Sequence, residues 1–354
     1  MHRMLFYLIV GLRKWERSGF KDFPDVLKVG HHELVRLCAV EGLEAPVHIP
    51  SLIKWLKLPV REWGLEDVLE YFPEDALVID EYGEVSLEAE EFLHIYDVSA
   101  DKDLEAQLLH VEQGVMKKIL SYARDHGLAK DYVRIREFLS RPNHAVITTE
   151  ELYMFKGKIM NESLRKMFDA CYEEVEFIAN YRVCPHCGWT LTYHRGEWQC
   201  NRGTICHLLA DLKDAKHFPE TNKNWFRMVP GVQRYVLIPG IAEHQLADRL
   251  EKDGYKIDMY PKIDRYDLLV EKDGKSVGLD VKDHHSPFFF ARNIVETHEE
   301  LDVDLYYVIP DARRREGDSG YKEIAIGELK ALGRDDIRVV TEGEVYRRIG
   351  EWLK

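Results

Sequence analysis

An Asp-Gly pair at positions 273 and 274, set between two apolar-rich runs, constrains this chain more than any other short feature. Asp-Gly is a strong signal for a two-residue β-hairpin loop, because both central residues of the favoured turn need positive φ. The loop fixes register: Lys272 pairs with Lys275, and counting outward sets Asp267 opposite Asp280. Side chains alternate along a strand, so Asp267, Asp280 and Lys282 share one face, while Leu268, Val270, Leu279 and Val281 form an apolar second face. Two carboxylates therefore meet beside one ammonium.

Directly opposed residues carry their Cβ atoms roughly 4.5 to 5.5 Å apart, where like charges repel unless something neutralises them. A divalent cation does so, and Mg²⁺ takes one or two protein carboxylates together with substrate phosphate and water. The alternative is a surface hairpin whose Asp and Lys residues merely form salt bridges. Upstream, Ile241 to Asp253 reads as a helix closed by Gly254, with Glu243 on the stripe of Leu246, Ala247 and Leu250 that faces the sheet. Glu243 is either a third site carboxylate or a complement to the positive end of its helix.

The order Glu243, Asp267, Asp280-x-Lys282 resembles the PD-(D/E)XK, or restriction-endonuclease-like, nuclease superfamily, over residues 235–345. Tyr266 stands where the superfamily motif has Pro. The resemblance implies a C-terminal α/β domain with a central mixed sheet. In it Ser286-Pro287 opens a helix and Leu305 to Ile309 forms the next strand. It assigns Asp267 and Asp280 to Mg²⁺ or Mn²⁺, adds the carbonyl of Val281 as a further ligand, and gives Lys282 the water or the transition-state charge. His284 and His285 are weaker candidates for touching substrate, as are Arg313, Arg314 and Arg315 for gripping phosphates; solvated loop positions are the other reading of both groups.

Cys184, Cys187, Cys200 and Cys206 form a second signal, spaced C-x2-C-x12-C-x5-C. Two such knuckles joined by a hairpin over Trp189 to Trp198 suit the tetrahedral site of a structural zinc ribbon, with His207 as the substitute should Cys206 face away. Disulfides or unliganded thiols are the alternatives. Residues 181–240 hold eight Lys and Arg against four Asp and Glu, net +4, in a chain of net charge −14. Trp189, Tyr193, Trp198, Trp225 and Phe226 are interleaved with that charge, as on a nucleic-acid surface or as fillers of a small core.

At 354 residues, 45% apolar and 32% charged, the chain has room for two or three domains. The apolar run Met4 to Val10 is too short to span a bilayer and reads as a buried helix, and the cysteine usage suits a reducing, cytoplasmic compartment. Residues 1–180 read as acidic and mostly helical. Within 51–100, two short helices and two strand-like pieces, Ala76 to Ile79 and Glu84 to Leu87, resemble a winged-helix segment, but with an acidic wing that disfavours DNA reading. Leu104 to His126 reads as a long amphipathic helix, and Phe138 to Val175 as further helices broken around Arg141-Pro142-Asn143.

The expected organisation is α+β and α/β in several domains: a helical region at 1–180, a zinc ribbon at 181–234 and a nuclease-like domain at 235–354. The expected function is a Mg²⁺-dependent nuclease acting on DNA, with RNA the other candidate, as a component of a prokaryotic defence system. The plan resembles the restriction-endonuclease-like companions of prokaryotic PIWI proteins. The N-terminal half would contact a protein partner, and two copies would serve to cut both strands of a duplex. The alternatives are a non-catalytic nucleic-acid-binding or assembly module, and a nuclease active only with its partner.

Overall fold

The computed structural model describes residues 1–96, 114–194, 196–201, 204–219, 223–313 and 320–354. About half of the chain is helical, and the fold is α+β with a mixed five-stranded sheet. It divides into two compact units, Met1–Val111 with His284–His298, and Glu112–Asp283 with Glu299–Lys354.

The first unit is built on helices His2–Arg17, Asp25–Glu41, Ile49–Leu56 and Leu87–Ile95. Met4 to Leu12 are buried without interruption, as expected for a core helix. Two glycines let the first pair of helices approach closely. A Cβ on Gly11 would lie 2.5 Å from that of Leu27, and one on Gly30 would lie 2.6 Å from the backbone nitrogen of Leu8. In the winged-helix-like stretch, Ile49–Leu56 is a helix, Glu66–Glu70 a 3-10 turn, and a single bridge, Ile79 to Val85, stands in place of two strands. The helix Pro287–Thr297 also belongs here, since Phe288 and Phe289 are buried in this core and Phe289 meets the Phe72 ring edge-on at 5.8 Å. Ser286 caps that helix as its sequence signalled.

The second unit contains strands β1 (Val146–Thr148), β2 (Tyr172–Val175), β3 (Arg182–Val183), β4 (Thr190–His194), β5 (Glu197–Gln199), β6 (Trp225–Met228), β7 (Lys256–Met259), β8 (Leu268–Lys272), β9 (Lys275–Val281), β10 (Asp304–Ile309) and β11 (Arg338–Thr341). The mixed sheet runs β11-β10-β9-β8-β7, parallel from β11 to β9 and antiparallel from β9 to β7. Its core holds Leu268, Val270, Val277, Leu279, Val281 and Val308, closed by Leu246 and Leu250 of the helix Ile238–Lys252.

The helical reading of 138–175 is corrected in two places. β1 and β2 lie there, and both pair antiparallel with β6. Three or four residues are too few to display alternation, and Thr148 ends β1 while its side chain caps the next helix, Thr149–Lys156. Of the long helix expected over Leu104 to His126, the described part is Gly114–Asp125; Leu104, Leu108 and Val111 lie outside the described residues. Among the described residues, no helix is long and apolar enough to cross a membrane.

Gly30→Ala tests the close helix pair. Alanine gains ~1 kcal/mol of helix propensity over glycine, yet overpacking a rigid site costs ~1–3 kcal/mol or more. Since the clash at Gly30 is with backbone, the clash should win and lower the urea midpoint. An unchanged or raised midpoint would show that the helices separate freely.

Candidate functional site: a carboxylate pair at the end of a hairpin

Lys272 pairs with Lys275 and Leu268 with Leu279, so the β8–β9 register is the one the Asp-Gly loop dictates. Asp273 and Gly274 both take positive φ, 51° and 80°. One step beyond β8 the regular ladder ends: the Asp267 N–H donates to the carbonyl of Leu279, one residue short of the Asp280 partner that the hairpin register predicts, so Asp267 and Leu268 both lie against Leu279. Both aspartates are buried, each 7% exposed. Oδ2 of Asp267 accepts the backbone N–H of Val281 at 2.6 Å, and Nζ of Lys282 lies 3.0 Å from Oδ1 of Asp280.

Burial raises the Asp267 carboxyl well above the ordinary carboxylate range, and Glu243, Asp280 and Asp264 push it further, with Lys282 opposing. For Lys282, burial disfavours the charge, but Asp280 and Asp267 outweigh it and hold the ammonium above its usual value. Lys282 is therefore charged at neutral pH. Because the folded pKa of Asp267 exceeds its unfolded value of 3.8, the folded state holds this proton more tightly. Stability from this group is full below pH 3.8 and is lost as pH rises towards the folded pKa.

Glu243 is 1% exposed, and both its oxygens are engaged. Oε1 accepts from Nη2 of Arg136 at 2.7 Å, and Oε2 accepts from the Tyr260 hydroxyl at 2.7 Å. Burial raises the Glu243 carboxyl, against the pull of Arg136. Arg136 also donates to Ser140 and to the carbonyl of Val236, and its guanidinium sits 4.8 Å above the Tyr260 ring. Its Nε lies 3.5 Å from Asp264, whose carboxylate also takes the Tyr132 hydroxyl.

Asp264 ends a left-handed turn in which Tyr260, Lys262, Ile263 and Asp264 all have φ between 54° and 58°. Such backbone costs on the order of 1–3 kcal/mol per non-glycine residue and persists only where neighbours enforce it. Here Arg124 grips the carbonyls of Ile263 and Asp264 at 3.0 and 2.7 Å.

Arg136, Tyr260, Asp264 and Tyr132 were not singled out from sequence. One signal was present: on the helix Ala129–Leu139, Arg136 shares the buried stripe of Tyr132, Ile135 and Leu139. An arginine at a core position requires a buried carboxylate.

Two of the remaining candidates have buried ion-pair partners. His284 is buried with Nδ1 3.3 Å from Glu91, whose two oxygens also accept the backbone N–H groups of His285 and Ser286. Arg313 is buried in an ion pair with Asp283, and Arg314 and Arg315 lie outside the described residues.

Cys184, Cys187, Cys200 and Cys206 bring their sulfurs within 4.8 Å of one another, the only such group of three or more His, Cys, Asp or Glu among the described residues. Cys187 and Cys200 are 3.6 Å apart, close to the ~3.8 Å edge of a tetrahedron built on Zn–S bonds of ~2.3 Å. The set can hold a metal ion such as zinc. His207 is outside it, with Nδ1 3.1 Å from the carbonyl of Thr204. The buried amide of Gln233 reaches Cys187 and Cys200 at 3.4 and 3.7 Å, and Gln233 opens the π turn that runs into the helix carrying Glu243.

Removing one partner of a buried ion pair leaves an uncompensated charge and costs ~3–5 kcal/mol. Arg136→Met should therefore destabilise the chain strongly, and Glu243→Gln in the same chain should recover a large part of the loss. Additive losses in a double-mutant cycle of chemical denaturation would rule out the coupling.

No curated protein and no solved structure matches the chain. Residues 240–354 match the family described as “REase associating with pPIWI_RE”, a segment that contains Glu243, Asp267, Asp280 and Lys282. The C-terminal third of the chain is thus similar to the restriction-endonuclease-like proteins that this family describes.

Proposed function

We propose that the C-terminal segment is a Mg²⁺-dependent nuclease that hydrolyses phosphodiester bonds of DNA as part of a prokaryotic defence system with a pPIWI partner. The observation that carries this reading is the buried, interacting pair Asp267 and Asp280 beside Lys282 at the end of the β8–β9 hairpin, within a segment that matches a restriction-endonuclease-like family. Two carboxylates are the donor set and the count that suit Mg²⁺. The carbonyl of Val281 is a further donor in this reading. Mg²⁺, or Mn²⁺ in its place, supplies when bound an acidified water and neutralising charge at the scissile phosphate.

The chain's own groups do the rest. The Val281 N–H orients Asp267. Lys282, held protonated by the two aspartates, faces the charge that develops on the phosphate oxygens. Glu243, already paired with Arg136 and Tyr260, acts by positioning the helix Ile238–Lys252. The four cysteines hold structural zinc in a ribbon at 181–234, and residues 1–180 meet the protein partner. In this reading the protein works in the cytoplasm, and two copies serve the two strands of a duplex. The word “associating” in the family description, and the net charge of −14, favour a variant in which cleavage awaits the partner.

Cleavage of supercoiled plasmid in the presence of Mg²⁺ checks the reading. Asp280→Asn should abolish it, and Lys282→Ala should slow it by ~10²–10³-fold while the Mg²⁺ concentration for half-maximal rate stays the same. A Lys282→Ala protein that cuts at the wild-type rate, alone or with the copurified partner, would remove the chemistry from this hairpin.

A further inference from the structure

The sheet β3-β4-β5 of the cysteine module carries side chains that the carboxylate site does not use. Tyr193 on β4 is cross-strand neighbour to Trp198 on β5, with ring centroids 5.4 Å apart. The Arg182 guanidinium lies 4.5 Å over the Trp198 ring, and His217 meets the same ring edge-on at 6.0 Å. Arg182 is held in place by its bond to the Lys213 carbonyl at 2.7 Å and by a backbone bridge to His217. The segment that carries exposed Lys213 and Lys216 therefore runs along β3.

The rings of this module divide into two kinds. Trp189 is 5% exposed and donates its indole N–H to the carbonyl of Met228, so it fills the core. Tyr193 is 63% exposed and fills nothing. Its surroundings are the one positive stretch of the sequence: residues 181–240 carry net +4, whereas 1–180 carry −11 and 241–354 carry −7. Glu197 is the one carboxylate on these three strands. A polyanion is repelled by the flanking segments and attracted here.

We propose that this face is a stacking platform for single-stranded nucleic acid, separate from the residues assigned to cleavage. An exposed ring beside cations suits single strands because their bases have free faces, whereas duplex bases are stacked on each other. Tyr193 takes a base, Trp198 with Arg182 forms the adjoining floor, and Lys213 and Lys216 meet phosphates. The proposal goes beyond the nuclease reading and stands without it, since it concerns binding alone.

The test uses the full chain with its cysteine-bound metal retained and no Mg²⁺ added. Fluorescence anisotropy compares labelled oligothymidylate, oligouridylate and a duplex of equal length. Wild type should bind one or both single strands more tightly than the duplex, the stronger naming DNA or RNA. Tyr193→Ala should weaken that binding about ten- to a hundred-fold, the range for loss of one stacked base. Tyr193→Phe should keep it, and Lys213→Glu with Lys216→Glu should flatten its salt dependence. Equal metal content of all variants excludes unfolding of the module as the cause. Wild-type affinity in Tyr193→Ala, duplex binding as tight as single-strand binding, or no binding of any of the three overturns the proposal.

Discussion

Two carboxylates brought close together at the buried end of a hairpin set the terms for the second unit. The Asp-Gly loop fixes the register of β8 and β9, and just past the end of that ladder Asp267 and Asp280 come close together at 7% exposure each. Like charges in that position destabilise the metal-free fold, so neighbouring groups are arranged around the conflict. Lys282 answers one carboxylate, and the Val281 N–H answers the other. A third buried acid, Glu243, adds to the repulsion and is itself held by Arg136 and the Tyr260 hydroxyl.

That arrangement explains why the nuclease-like segment does not stand alone. Arg136 belongs to the helix Ala129–Leu139, and Arg124 to the helix before it, both upstream of the matched residues 240–354. Together they clamp a left-handed turn of four non-glycine residues that leads into β8. On the other side, the cysteine set is tied through Gln233 to the π turn and helix that present Glu243. A metal bound by those cysteines would thus stabilise the helix that carries Glu243.

Local chemistry was legible in the sequence and distant pairing was not. The hairpin, the Ser286 cap and the β4–β5 hairpin each depend on residues within about ten positions of one another, and all three stand in the structure. The clustering of the four cysteines is present too, with Cys206 inside the set despite its longer spacing. Arg136 and Glu243 are 107 positions apart, and nothing in either segment names the other, although an arginine on a buried stripe announces that some acid must meet it. β1 and β2 escaped because three or four residues display no period, and their partner β6 lies far downstream. The helix Pro287–Thr297 is signalled by its Ser-Pro start, but its phenylalanines Phe288 and Phe289 join the core of the first unit, a choice that periodicity does not encode.

The most direct test of the account is the melting temperature of the full chain measured across mildly acidic to neutral pH, with and without Mg²⁺, for wild type and Asp267→Asn. The account predicts that wild type without Mg²⁺ loses stability as pH rises through the range where Asp267 gives up its raised proton. Added Mg²⁺ should restore that stability at neutral pH, and Asp267→Asn should show neither the loss nor the restoration. Identical curves for the two proteins, or a wild type indifferent to Mg²⁺, would contradict the claim that Asp267 and Asp280 form a cation site.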